Sequence, residues 1–443
     1  MENLKLWTQE QILSQGADAQ VGKAARSLTR PAKWQTLAFS EADNAIWGEI
    51  KGSGKDPYQV AIALDGPAFK CSCPSHKKPC KHAIGLFLTA QANPTSLKSE
   101  TPPSWVAEWL QKRQAAAERK VRRETSDSVV DTAAQAKRAA RREDLVQQGI
   151  DALRLWVGDM LRQGLSELPS QPRSFWETQT ARLVDAQAPG LARRLREMAG
   201  VPYSGEGWPS RLLDRLGRLH LLLEAYSRLD TLPPDLQEEV RNQIGWPQDQ
   251  SALLAGPGVR DQWLVLSASE ETEERLQVRS TWLWGAETRQ AALILDFIAP
   301  GQSSRIGGLP VGVALDAELV FFPGMIPQRA LLKAQHSAQP ISALPGYDSL
   351  ATAFATTGAA LARSPWTERF LWPLEGMTPL QTENEWRIQD PQGHYLPVAL
   401  ADPESWRLLA LSGGHPTTMV GEWDLEKFKL LSVWTGRELV ALS

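Results

Sequence analysis

The three cysteines of this chain lie close together, in a C-x-C-x6-C-x-H pattern that begins at position 71. An odd number of cysteines argues against a framework of disulfide bonds. Thiols that cluster beside a histidine are typical of a metal site, and three sulfurs with one imidazole nitrogen suit tetrahedral zinc. We therefore predict one zinc ion held by Cys71, Cys73, Cys80 and His82. The alternative is a set of buried thiols without a metal, and we expect His76 to be a solvated loop residue.

The local sequence explains how these four side chains can face one ion. Cys71 and Cys73 end a predicted strand, where residues two apart point to the same face. Cys80 precedes a predicted short helix, about residues 81–91, and His82 lies in its first turn. The positive end of that helix and the nearby lysines favour the thiolate form. These lysines, which are also candidate contacts for nucleic acid, are Lys70, Lys77, Lys78 and Lys81.

Four protein ligands leave no position for water, so the predicted zinc is structural and not catalytic. A ββα finger of this size buries little apolar surface. We therefore expect the metal to supply much of the finger's folding free energy.

The hydrophobic pattern changes along the chain and predicts an α+β protein. A small ββα-type zinc finger lies near the N-terminus, the middle is helical, and the C-terminal part is rich in strands. The predicted boundaries are an N-terminal domain at 1–93 with the finger at about 58–92, a linker and basic helical arm at 94–142, a helical region at 143–250, and a β-rich domain at 251–443.

Individual elements follow from the same patterns. An amphipathic helical stretch is predicted over residues 8–28, and a helix is predicted at 350–363. The predicted strands are 34–39, 45–50, 58–64, 262–266, 276–284, 291–298 and 312–322.

Charge is unevenly distributed on a chain whose net charge is −3. Residues 111–142 contain ten basic and four acidic residues, which makes this arm a second candidate for contact with nucleic acid. The chain has neither the layout of a signal peptide nor an apolar run of membrane-spanning length. We expect a cytoplasmic protein that makes no contact with membranes.

The neighbourhood of the cysteines resembles the SWIM-type zinc finger, and in particular the bacterial SWIM zinc-finger proteins. The residues that carry this resemblance are Trp47-Gly48-Glu49, Gly52-Ser53-Gly54, Pro57-Tyr58, Cys71-Ser72-Cys73-Pro74-Ser75 and Pro79-Cys80-Lys81-His82. All four ligand positions of the family's pattern are present. The resemblance implies zinc binding and contact with DNA or with other proteins. It further implies a multi-protein system, in which an AAA+ ATPase is one candidate partner.

Other motifs give little support for catalysis, and we predict no catalytic or cofactor-binding residues apart from the zinc ligands. Gly52-Ser53-Gly54-Lys55 differs from a phosphate loop because it joins two strands. His220 is expected in a helical core or at its boundary. His415, in a turn, has no obvious catalytic partner nearby in sequence.

The leading prediction is therefore a zinc-binding adaptor or binding protein, not an enzyme, that contacts nucleic acid, protein partners or both. The alternative is an enzyme with its site in the C-terminal half and the finger as a targeting module. The tryptophans of that half, which include Trp282, Trp284, Trp366, Trp372, Trp406, Trp423 and Trp434, are expected mainly in the core. An exposed aromatic surface that docks a protein is the sharper alternative for them, and on it we base the prediction that residues 261–443 dock another protein.

Overall fold

The structure is a computed structural model with a mixed α/β architecture. It describes the chain except residues 1–3, 5–6, 16–18, 53–55, 65–67, 127–131, 274–275, 299–308, 383–384, 401 and 443. Within the described part of the chain, no helix combines the length and the apolar character that crossing a bilayer requires.

The N-terminal unit is built around a five-stranded sheet of order β4-β3-β2-β1-β5. Its antiparallel pairs place Ile46 opposite Ile62, and the short β5 runs parallel to β1. The strands are β1 (Trp34–Ser40), β2 (Ala45–Ile50), β3 (Tyr58–Ala63), β4 (Ala68–Cys71) and β5 (Lys98–Ser99). The helices of this part are α1 (Gln9–Ser14), α2 (Ala19–Arg26), α3 (Lys81–Ala92) and α4 (Ser104–Ser126).

Helices cover both faces of this sheet. Residues of α1, α2 and α3 pack on one face, where Ile46 and Ile62 are fully buried. The start of α4 packs on the other face, where Val106 contacts the cluster that contains Trp47. Side chains therefore alternate between two cores, as the period of a strand requires.

The middle of the chain is a helical bundle with its own core. Leu212, Leu216, Leu219 and Leu223 are buried at helical spacing, so one face of α8 points inward. The helices are α5 (Thr132–Gln163), α6 (Ser174–Asp185), α7 (Pro189–Met198), α8 (Trp208–Ser227) and α9 (Pro234–Ile244), followed by α10 (Gln250–Ala255). Short 3-10 helices occur at Pro31–Lys33, Pro94–Ser96, Leu168–Ser170, Val201–Tyr203 and Leu229–Thr231.

The C-terminal part contains two antiparallel sheets that share an apolar interface. The first has the order β10-β9-β6-β7-β8. The second has the order β13-β12-β11-β14-β15-β16, and a parallel pairing of β13 with β15 closes five of its strands into a ring. The strands are β6 (Val259–Glu273), β7 (Leu276–Gly285), β8 (Ala291–Ile298), β9 (Val313–Phe321), β10 (Ala330–Pro340), β11 (Phe370–Gln381), β12 (Trp386–Gln389), β13 (Tyr395–Ala399), β14 (Thr417–Trp423), β15 (Phe428–Trp434) and β16 (Leu439–Ala441). Two helices accompany them, α11 (Leu350–Arg363) and α12 (Asp402–Ser412).

The bundle and the C-terminal sheets are joined by buried contacts. Trp366 inserts into the bundle core, and its indole N–H donates to the carbonyl of Arg218 at 3.0 Å. Arg194, which is 5% exposed, forms an ion pair with Glu368 and donates to the carbonyl of Trp366. These contacts fix the orientation of the two parts.

The mixed fold class is confirmed, while several details differ from the sequence prediction. Within residues 8–28 the described part of the chain forms two helices, α1 and α2, and the described residues of the 111–142 arm belong to α4 and to the start of α5. The expectation for His220 is wrong because its side chain is exposed on α8. Residues 53–55 of the glycine-rich turn lie outside the described residues.

Candidate metal centre

Two structural elements bring the four predicted zinc ligands together. In β4, Cys71 pairs with Val60 of β3. Ser72 continues this pairing, since its amide donates to the carbonyl of Gln59 at 3.0 Å. The strand ends at Cys71, so Cys73 lies two residues beyond it and not within the strand end, as the sequence predicted.

The other two candidate ligands belong to the start of α3. Cys80 is the N-cap residue, and its carbonyl accepts the amide of Ile84 at 3.1 Å. His82 lies in the first turn and is buried. The loop that connects the two ligand pairs contains a cis peptide bond between Lys78 and Pro79. The helix over residues 81–92 confirms the prediction of a short helix after the third cysteine.

The geometry of the cluster fits one tetrahedral zinc ion. The ligand atoms of Cys71, Cys73, Cys80 and His82 all lie within 4.8 Å of one another. His82 Nδ1 is 3.9 Å from the sulfurs of both Cys71 and Cys80. Tetrahedral bonds of roughly 2.3 Å to sulfur and 2.0 Å to nitrogen place neighbouring ligand atoms about 3.5–3.8 Å apart. The cluster is therefore nearly the size that zinc requires.

The electrostatics of the cluster also call for a cation. The hydrogen bond with the Cys71 thiol lowers the pKa of Cys80 to about 3. The same hydrogen bond raises the pKa of Cys71, and burial raises the pKa of Cys73. Three thiols in this space cannot all ionise without a positive charge among them, and Zn²⁺ supplies that charge. Because the four side chains complete a tetrahedron, they leave no open position for water.

Two neighbours of the cluster were not predicted from the sequence as parts of the site. The ring of Tyr58 lies 5.1 Å from that of His82 and covers one side of the imidazole. Trp105, in α4, lies far along the chain but contacts Lys70 next to the first cysteine. For Tyr58, the alternation of β3 is the available signal, whereas no pattern links residue 105 to the finger.

The metal is embedded in more structure than the sequence indicated. The finger's β3, β4 and α3 belong to a five-stranded sheet with a core that includes α1 and α2. The finger is therefore not an isolated ββα unit, and the share of its folding free energy that the metal supplies stays a prediction. The candidate zinc site lies in a larger α/β unit, whose buried apolar cluster also contributes to stability.

The predicted lysine contacts differ in their surroundings. Lys70 donates from Nζ to the carbonyl of Trp105 at 2.8 Å and lies over its ring, and burial lowers its pKa. Lys77, Lys78 and Lys81 are exposed at the outer end of the cluster. The structure therefore does not bring all four lysines onto one open surface.

The basic arm is described only in part. The side chains of residues 116–136 and 138 lie outside the described residues. Arg142 stacks on Trp246 and donates to the carbonyls of Gln187 and Gly245, so the end of the arm packs on the bundle. Lys112 is exposed and pairs with Glu108 at 3.9 Å.

Comparison with known proteins agrees with this geometry. Residues 58–91 match the family model of the SWIM zinc finger, and residues 141–244 match that of the SWIM-associated four-helix bundle domain. No curated protein and no solved structure gives a significant match. The chain therefore carries a SWIM zinc finger, whose Cys71, Cys73, Cys80 and His82 cluster fits one structural zinc ion, followed by a SWIM-associated four-helix bundle domain.

Proposed function

We propose that this chain is a zinc-stabilised adaptor that binds another protein. The observation that carries this proposal is the closed cluster of four candidate ligands at the edge of a packed α/β unit. A closed zinc site shapes a surface but offers no position for a reacting water. The zinc then holds the N-terminal unit together, while contact with a partner falls to exposed surfaces.

The finger's helix supports a protein partner over a nucleic-acid groove. Every residue of α3 from His82 to Ala90 is buried in the unit's own core. A helix that reads DNA must present side chains to base edges in the major groove. Because α3 has no such free face, the SWIM finger here is an internal scaffold.

One exposed aromatic residue of the C-terminal half is the best candidate anchor for a protein partner. Trp406 of α12 is 58% exposed, and its ring meets that of Trp386 edge-on at 6.2 Å. By contrast, Trp282, Trp284 and Trp372 are buried, so for them core packing is the correct interpretation. Exposed tryptophans are enriched among the residues that dominate binding energy at protein interfaces.

A pull-down with the full chain tests this proposal. We expect a protein to be recovered from the native cell, to survive nuclease treatment and to be lost with Trp406→Ala. The matched control is Leu155→Ala, since Leu155 is 70% exposed on α5 of the bundle. Assay of the recovered material for ATP hydrolysis would show whether it contains an ATPase, as an AAA+ partner requires. Recovery that is equal for both variants would contradict the proposal.

Nucleic acid is the second candidate partner because three lysines are exposed beside the zinc cluster. Lys77, Lys78 and Lys81 could neutralise up to three phosphates. Such contacts are independent of sequence and weaken with salt, with a slope of log affinity against log salt of about −2 to −3. A fluorescence titration with single-stranded and double-stranded DNA should show this slope. The slope should become shallower when the three lysines are changed to glutamine.

Lys333→Gln is the control for that titration because Lys333 pairs with Glu318 in the C-terminal part. A slope near zero, or equal binding by the triple variant and the control, would contradict the proposal that these lysines bind nucleic acid. Material that disappears from the pull-down on nuclease treatment would instead favour it.

A further inference from the structure

A cavity of about 950 Å³ lies where the helical bundle meets both C-terminal sheets. Its walls come from α7, α8 and α9 on one side and from strands of the two sheets on the other. The volume is in the range of small-molecule binding sites in proteins. Because residues from positions 193 to 431 contribute, no local sequence pattern reveals the cavity.

Most of the arginines that line this cavity are already paired. Arg194, Arg215, Arg218 and Arg369 each contact a carboxylate. The contact of Arg369 is bidentate, with distances of 2.8 and 2.6 Å to Glu422. These pairs hold the walls together and leave little charge for a ligand.

Arg329 is different. It stacks on the ring of Phe322 at 4.3 Å, and within the described part of the chain no carboxylate forms an ion pair with it. The side chain of Arg329 lines the cavity and is open to solvent there. Desolvation by the surrounding protein, and secondly the charge of Arg193, hold the pKa of Arg329 below the usual range. Arg193 and Arg329 both line this cavity, so their two guanidinium groups repel each other there.

The positive charge of the second arginine, Arg193, is only weakly neutralised by a neighbouring carboxylate. Arg193 Nε lies 3.9 Å from the carboxylate of Glu197, which is beyond hydrogen-bonding distance. Burial raises the pKa of Glu197 and so disfavours its charged form. An anion between Arg193 and Arg329 would relieve the repulsion of the two cations.

The backbone of Arg329 is fixed before any ligand arrives. Its carbonyl accepts the amide of Phe322 at 2.9 Å, and the preceding carbonyl of Gln328 accepts the amide of Leu293 at 2.7 Å. A ligand would therefore lose little affinity to ordering the chain.

We propose that this cavity binds a small phosphate ester, with the phosphate held by Arg193 and Arg329 and an apolar or aromatic body against the walls. Guanidinium forks match phosphate oxygens in geometry, and a dianion matches two positive charges better than a carboxylate does. The apolar part of the lining, which includes Trp282, Leu293, Leu295 and Phe322, supplies surface for the rest of the ligand.

Calorimetric titration of the full chain at low salt tests this assignment. The probes are phenyl phosphate, benzoate and inorganic phosphate, which separate the charge of the head group from the contribution of the ring. We expect phenyl phosphate to bind most tightly, with a dissociation constant about tenfold lower than that of benzoate. Arg329→Gln and Arg193→Gln should each weaken phenyl phosphate binding by about tenfold.

The matched control is Arg260→Gln, because Arg260 is exposed on β6 and pairs with Asp316 outside the cavity lining. Its affinity for phenyl phosphate should equal that of the unchanged protein. Arg193 is exposed on α7, so Arg193→Gln keeps the test valid even if Arg329→Gln loosens the packing on Phe322. No heat of binding at millimolar phenyl phosphate, equal binding of benzoate, or unchanged affinity in both arginine variants would overturn the proposal.

Discussion

Replacing Phe87 with alanine tests whether the finger's helix is an internal scaffold. Phe87 is completely buried, and its ring centroid lies 5.5 Å from that of Trp7 and 6.1 Å from that of Phe69. It therefore links α3 to the N-terminal segment and to β4. Removing a buried phenyl ring costs roughly 3–5 kcal/mol, from lost burial and from the cavity left behind.

Hydrogen exchange measured on peptides from β2 and β3 reports this loss locally, which matters in a chain with several cores. A loss of roughly 3–5 kcal/mol corresponds to an increase in exchange rate of roughly two to four orders of magnitude. Lys81→Ala is the control, because Lys81 is exposed on the same helix and should change stability by less than about 0.5 kcal/mol. If Phe87→Ala raised exchange no more than Lys81→Ala does, α3 would not be part of the core and the scaffold argument would fail.

Two further predictions concern the bundle and the C-terminal part. In Gly190→Ala, the new Cβ would lie 2.2 Å from the carbonyl of Gln243, so we expect a loss of roughly 1–3 kcal/mol. Gly217 is an exposed position of α8 where a new Cβ would meet no atom within 4 Å, so Gly217→Ala should instead stabilise by about 0.5–1 kcal/mol. Denaturant unfolding should show opposite signs for the two variants, and equal signs would contradict the packing. Burial raises the pKa of Asp390, but hydrogen bonds from the amides of Leu350 at 3.1 Å and His394 at 2.9 Å outweigh it and hold the pKa below its usual range. The carboxylate therefore stabilises the fold above about pH 4 and loses this effect in acid, so Asp390→Asn should melt earlier at pH 7 and show a smaller loss of melting temperature on acidification. Parallel melting curves for the two proteins across pH would refute this role.

The sequence predicted best where a pattern is local. The cysteine spacing located the zinc cluster, and the hydrophobic period predicted α11 at Leu350–Arg363 and β8 at Ala291–Ile298 with the observed bounds. Neither depends on contacts with distant parts of the chain, which is why periodicity was sufficient.

Features that depend on tertiary contacts escaped prediction. The ring closed by β13 and β15 requires pairing between Val398 and Phe428, for which no local pattern exists. Lys70 looked like a surface lysine until the fold placed Trp105 beside it. His220 follows the spacing of buried leucines, yet the rotation of α8 turns its side chain towards solvent. In each case a neighbour from elsewhere in the fold decided the environment.

Elemental analysis of the protein purified without added zinc tests the central claim most directly. We predict one zinc per chain, because four candidate ligand atoms lie within 4.8 Å of one another and complete a tetrahedron. Cys73→Ser should reduce the zinc content to a small fraction of that value. Ser72→Ala should retain it, since Ser72 lies between the two cysteines but bonds to Gln59 instead. A zinc content near zero in the unchanged protein, together with unaltered folding in the presence of a chelator, would contradict the account.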